Sequence, residues 1–200
     1  PRSLPAYAEL HCRSNFSFLS GASHPEELIA AAQQRGYSAL AVTDDCSLSG
    51  VVRAHAEGQR LGMPLIIGAR MQLSAPGSVP GAGAGAGAGD KKAEAAANHA
   101  VGGAVAPSLS ALPASRSSVL LGHAPPCLVV LAQSRRGYGN LSQWISIARR
   151  RAPKGQYLAH ASDVEGRVPH APFLAGLPDC FAILLPPAGQ GFEALFAHAM

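Results

Sequence analysis

Apolar positions over residues 1–73 fall into short runs that alternate between strand-like and helical spacing. Tyr7 to His11 reads as a strand, and a helical pattern follows from about Pro25 to Arg35. That helix carries its own boundary signals. Ser23 followed by Glu26 has the spacing of a capping box, Pro25 sits in the first turn where its missing N–H does no harm, and Gly36 supplies the stop. The apolar run Ala39 to Val42 predicts a buried strand. A second helix is expected from about Leu48 to Leu61, closed by Gly62, and Pro64 introduces the strand Leu65-Ile66-Ile67. A β-α-β-α-β order implies helical crossovers and hence a parallel sheet.

From about Ser74 to Pro126 the pattern collapses into GAGAGAGAG and scattered Ala, Ser and Pro, with few large apolar side chains. Such a segment cannot offset its ordering entropy, so it reads as a flexible insert in a surface loop, with a silk-like β-stack as the alternative. Regular structure resumes with the strand Leu128 to Ala132. A helix is then expected from about Leu141 to Arg151, carrying Leu141, Trp144, Ile145 and Ala148 on one face. Residues 154–179 are loop-rich, Phe181 to Leu185 reads as a last strand, and a short helix is expected from about Phe192. The division that follows is 1–73, insert 74–126, and continuation 127–200. Repeated strand–helix units suggest an α/β barrel, or part of one.

Composition narrows the function classes. The 200 residues suffice for one sizeable domain; apolar residues reach 48%, a figure inflated by Ala, and charged residues fall to 14%. A net charge of +4 permits contact with polyanions without requiring it. Cys12, Cys46, Cys127 and Cys180 form no CxxC pair, which removes zinc-ribbon and thioredoxin-type motifs. No long apolar run or signal-peptide pattern is present, so a cytoplasmic protein is expected. No GxxxxGK[ST] loop occurs, which argues against nucleotide hydrolysis. The chain opens on Pro1 and ends on Met200 within an apolar helical pattern, as expected of a fragment.

In α/β folds ligands gather at the carboxyl ends of parallel strands. The residues there are His11-Cys12-Arg13, Thr43-Asp44-Asp45 and Gly68-Ala69-Arg70, with Cys127 opening the fourth strand. The richest basic cluster is Arg149-Arg150-Arg151, with Arg135, Arg136 and Lys154 nearby. Cations in a last helical turn complement the helix dipole; a contact with DNA phosphate or with another domain is the functional alternative. Phe16, Phe18, Tyr138 and Trp144 lie in apolar patterns and read as core rather than as base-stacking platforms.

The segments LHCRSNFSFLSGASHPEELIAAAQQRGYSALAVTDDCSLSGVVRAH, PLIIGARMQL, LVVLAQSRRGYGNLSQWI and DCFAILLPP resemble, in order, the PHP domains of C-family DNA polymerases, above all the error-prone paralogues of the replicative alpha subunit. The resemblance implies a PHP-type distorted βα barrel, incomplete here. It also implies a site that, in active members, clusters two or three metals on an HxH, a TDH-type motif, a Glu and further His and Asp residues, to activate water against a phosphoester. His11 and Asp44 match ligand positions. Arg13, Asp45, Arg70 and Cys127 stand where other ligands belong. A guanidinium has no lone pair for a metal, and two of them oppose a dication by about 4 kcal/mol per unit-charge pair at 4 Å and an effective dielectric of 20. The expectation is an Arg–Asp network in place of the metals, with a single residual ion on His11, Asp44, Asp45 and Cys127 as the alternative.

By resemblance, then, the chain is the N-terminal structural module of an error-prone polymerase serving damage-induced mutagenesis and translesion synthesis. The parent would use DNA, deoxynucleotides, Mg²⁺ and damage-response partners, and the module would pack against a palm domain whose catalytic aspartates lie outside this chain. No metal is expected on the fragment itself. The rivals are a stand-alone PHP phosphoesterase, histidinol-phosphatase-like or a proofreading exonuclease, and a pure DNA- or protein-binding module.

Overall fold

The structure, a computed structural model, describes residues 6–74 and 126–185. Strand β1 (Ala8–Cys12) leads to helix α1 (Pro25–Gln34), β2 (Ala39–Asp45), α2 (Val51–Leu61) and β3 (Leu65–Ser74). Beyond the insert come β4 (Cys127–Ala132), α3 (Arg135–Arg150), β5 (Ala159–His160), α4 (Ala161–Val164), a 3-10 turn (Pro172–Leu174) and β6 (Cys180–Leu185). The sheet order is β1-β2-β3-β4-β6, with β5 added beside the end of β3. It forms an α/β half-barrel, helices outside. No helix among the described residues is long and apolar enough to cross a membrane. The expectations of a flexible insert and of a helix after Phe192 fall outside the described residues.

The parallel order expected from the first two crossovers holds for β1, β2 and β3. It stops there. β4 runs antiparallel to β3, and β6 antiparallel to β4. The chain re-enters at the edge it left: Leu73 N–H donates to the Pro126 carbonyl at 2.9 Å. A chain returning from the end of its own neighbour must run the opposite way. That reversal places Cys127, the first residue of β4, opposite Gln72 and beside the carboxyl ends of the parallel strands.

Alternation along the strands divides the core between two faces. Leu40 and Val42 pack with Ile29, Ala32, Ala54 and Met63 under α1 and α2. Ala69, Met71 and Val130 pack with Leu141, Trp144 and Ala148 of α3 and with Leu174 and Leu177. On the inner face Ala41, Val129 and Leu131 are buried against Ile66, Ile183 and Leu185. Burying one large aliphatic side chain stabilises by roughly 1.5–3 kcal/mol, so these clusters hold the strand ends in register.

Three local readings are corrected. The residue at the start of α1 is His24, whose N–H donates to Glu27 at 2.8 Å, so the capping arrangement lies one residue later than Ser23 and Glu26. Helix α3 begins at Arg135, well before Leu141, with Ser134 Oγ accepting from Gly137 N–H at 3.2 Å. Gly137 disguised this start, because glycine reads as loop; a Cβ there would collide with the Asp179 carbonyl, which explains the residue. Finally, only Trp144 of the four aromatics is buried, while Phe16, Phe18 and Tyr138 are exposed. Phe16 and Phe18 belong to a loop whose inward-facing groups are Ser14 and Ser17.

Candidate functional site: the strand ends

Both acidic residues of Thr43-Asp44-Asp45 lie within β2, so they point to opposite faces. Asp44 is buried toward the β1–α1 loop. It accepts from Ser14 N–H at 2.8 Å, Ser14 Oγ at 2.7 Å and Ser17 Oγ at 2.7 Å. Gly50 closes this pocket, since a Cβ there would stand 3.0 Å from Asp44 Oδ2. Ser17 Oγ also accepts from Asp45 N–H at 2.9 Å and so couples the loop to both residues. Asp44 therefore anchors the loop that carries Arg13. Ser14 and Ser17 were not singled out from the sequence, where Ser-x-x-Ser after a strand carries no sign of the carboxylate it serves.

Asp45 faces the other way. Its Oδ1 accepts from Arg70 Nη1 at 2.6 Å, and Arg13 Nη1 lies 3.6 Å from its Oδ2. The arginine partners are thus Asp45's, and Asp44 takes no guanidinium. Burial is the largest single influence on Arg70 and opposes its charge, but the bond to Asp45 together with the charges of Cys127, Asp45 and Tyr157 outweighs it, and the guanidinium is held more firmly protonated than usual. His11 Nδ1 lies 2.8 Å from Thr43 Oγ1, whose own hydroxyl donates to the Cys12 carbonyl at 3.1 Å. Thr43 then accepts from Nδ1–H, leaving Nε2 unprotonated. Burial pushes the His11 pKa below 6.5; Arg13 and Arg70 add to this, against a smaller pull from Asp45 and Glu9. Cys127 is buried, and burial raises its thiol pKa while Arg70 draws it back.

A metal cluster does not fit this donor set. Asp44 is filled by serine donors, Asp45 by guanidinium, and among the described residues no three His, Cys, Asp or Glu side chains come together as a metal site.

The arginine triplet divides by geometry. Arg149 reaches back to β2, donating from Nη2 to the Cys46 carbonyl at 2.9 Å, and lies over the Tyr157 ring at 5.8 Å. Cys46 is buried, its thiol pushed up to about 12 by desolvation against the pull of Arg149. Arg151 Nη1 donates to Asp163 Oδ2 at 2.7 Å, and the same oxygen accepts from Trp144 Nε1 at 3.0 Å and His160 N–H at 3.1 Å. Of the three, Arg150 alone makes neither a side-chain hydrogen bond nor an ion pair among the described residues.

The profile of the PHP domain matches residues 9–170. An error-prone DNA polymerase of Bordetella parapertussis is 44% identical over 196 residues, covering 98% of this chain and 14% of that protein. Those of Ralstonia nicotianae and Dechloromonas aromatica are each 41% identical, covering 100% and 92% of this chain and 14% and 13% of theirs. The chain thus spans about one seventh of the length of these relatives. With a family match over most of its length, the chain belongs to the PHP domain family.

Proposed function

We propose that this chain is the N-terminal PHP module of an error-prone DNA polymerase and serves that enzyme as a structural element. The observation that carries the reading is the 44% identity to such a polymerase along 98% of the chain. The strand ends support a structural role: where active members hold metal, Arg70 and Arg13 converge on Asp45. The parent would extend primers across damaged template in damage-induced mutagenesis, drawing on Mg²⁺, deoxynucleotides, DNA, its own palm domain and damage-response partners in the cytoplasm. The fragment itself would bind no cofactor and catalyse nothing.

The test is primer extension on a lesion-bearing template by the protein encoded by the whole reading frame, beside the 200-residue chain. Extension by the former alone is expected. A reading frame that stops just past Met200, or metal-dependent phosphoester hydrolysis by the chain on its own, would replace this reading with the stand-alone phosphoesterase.

A further inference from the structure

The strand ends carry more hydrogen-bond donors than the protein uses. Each guanidinium offers five N–H donors in a planar fork. Among the described residues Arg70 has a single hydrogen bond, to Asp45 Oδ1 at 2.6 Å. Arg13 meets Asp45 only as an ion pair at 3.6 Å and has no hydrogen bond there. Two cations thus share one carboxylate.

Neighbouring acids do not take up the spare donors. Asp44 is buried and filled by Ser14 and Ser17. Glu9 is engaged by the Tyr7 hydroxyl and the His11 N–H. Arg149 adds a third guanidinium behind Asp45, held on the Cys46 carbonyl. The Arg13 and Arg70 side chains remain 34% and 22% exposed, so a solute can reach both.

We propose that Arg13 and Arg70 form an oxyanion site for the dianionic phosphate of a phosphomonoester or of free inorganic phosphate, with Asp45 holding the two forks in place when no phosphate is bound. Planar guanidinium forks match phosphate oxygens two at a time, and charge-assisted bonds gain strength where the groups are partly desolvated, as Arg13 and Arg70 are. Asp45 competes with the ligand, so the protein sets its own affinity at this point. The inference concerns the isolated chain and does not depend on the polymerase reading.

Calorimetric titration of the 200-residue chain with inorganic phosphate tests it, followed by 5′-phosphorylated and 5′-hydroxyl oligothymidylate of equal length. Saturable phosphate binding is expected. Arg13→Ala should weaken it roughly tenfold or more, and Asp45→Asn, which keeps the shape but removes the competing charge, should strengthen it by about tenfold. Preference for the 5′-phosphorylated strand assigns the site to a nucleic-acid end; equal binding of both strands beside saturable phosphate assigns it to the free ion. Absence of saturation up to roughly 10 mM phosphate, or equal affinity in the wild type and Asp45→Asn, overturns the proposal. The Asp45→Asn comparison decides alone if Arg13→Ala does not fold.

Discussion

Asp45 and Arg70 are register partners on β2 and β3, and the Arg70 guanidinium donates to the Asp45 carboxylate at 2.6 Å. Their backbones are fixed about 5 Å apart by the sheet itself. The ion pair is therefore a product of strand register. Arg13 comes from a loop, meets the same carboxylate at 3.6 Å, and is the more exposed of the two arginines.

This difference ranks the two substitutions. Arg70→Ala leaves a carboxylate that is 24% exposed without its hydrogen-bonded partner and should cost about 1–3 kcal/mol. Arg13→Ala removes a longer, more screened contact and should cost less than about 1 kcal/mol. Urea denaturation of each variant measures both, and equal losses would contradict the ranking.

Metal should be irrelevant to stability as the protein stands. A chelator is expected to leave the melting temperature unchanged. The paired substitution Arg13→His with Arg70→Glu removes both competing cations from beside His11 and Asp45 and supplies two ligands of the kind active family members use. It should create measurable Mn²⁺ or Zn²⁺ affinity, read by metal content in mass spectrometry. A chelator-induced fall in the wild-type melting temperature would show that the donor set has been misjudged.

Much of this was legible in the sequence, and the misses have physical causes. Arg13 could be placed just past β1, and the crossovers that make β1, β2 and β3 parallel brought Arg70 level with Asp45, but β3 runs on to Ser74 rather than stopping at Ile67, so Arg70 lies inside the strand and not after it. Which aspartate they meet could not be read until the extent of β2 was known. Its strand continues through Asp45, so the alternation sends Asp44 to the serines and Asp45 to the arginines. The reversal at β4 was hidden because periodicity gives no direction to a strand. The triplet at residues 149–151 looked uniform in sequence, yet helical rotation sends Arg149 and Arg151 to different partners.

His11 provides a probe of the electrostatics. Its pKa is lowered by burial first, then by Arg13 and Arg70. The sign follows from linkage. A histidine whose folded pKa lies below the unfolded value favours the folded state above about 6.5, and that contribution is lost as pH falls through the folded pKa. NMR titration should find His11 titrating below 6.5 in the wild type, and Arg13→Ala should move it upward. An unchanged midpoint in that variant would show that Arg13 exerts no field at the imidazole.

The last prediction separates the three consecutive arginines. Arg150 is exposed without an ion pair among the described residues, so Arg150→Ala should change stability by no more than about 0.5 kcal/mol. Arg149→Ala frees the buried end of β2 from α3 and should destabilise measurably. Arg151→Ala has a further signature in acid. Burial raises the Asp163 pKa, but bonds from Arg151, Trp144 and the His160 N–H outweigh it, and the net shift is downward from 3.8. A carboxylate with a depressed folded pKa contributes stability that is present above its unfolded pKa and lost as pH falls through the folded one. Without Arg151 the depression shrinks, so less is held in reserve at neutral pH and acid unfolding should begin at higher pH. Trp144, the sole tryptophan, donates to this carboxylate and reports the event by its fluorescence. Coincident acid transitions in wild type and Arg151→Ala would mean that Arg151 does not set the charge state of Asp163.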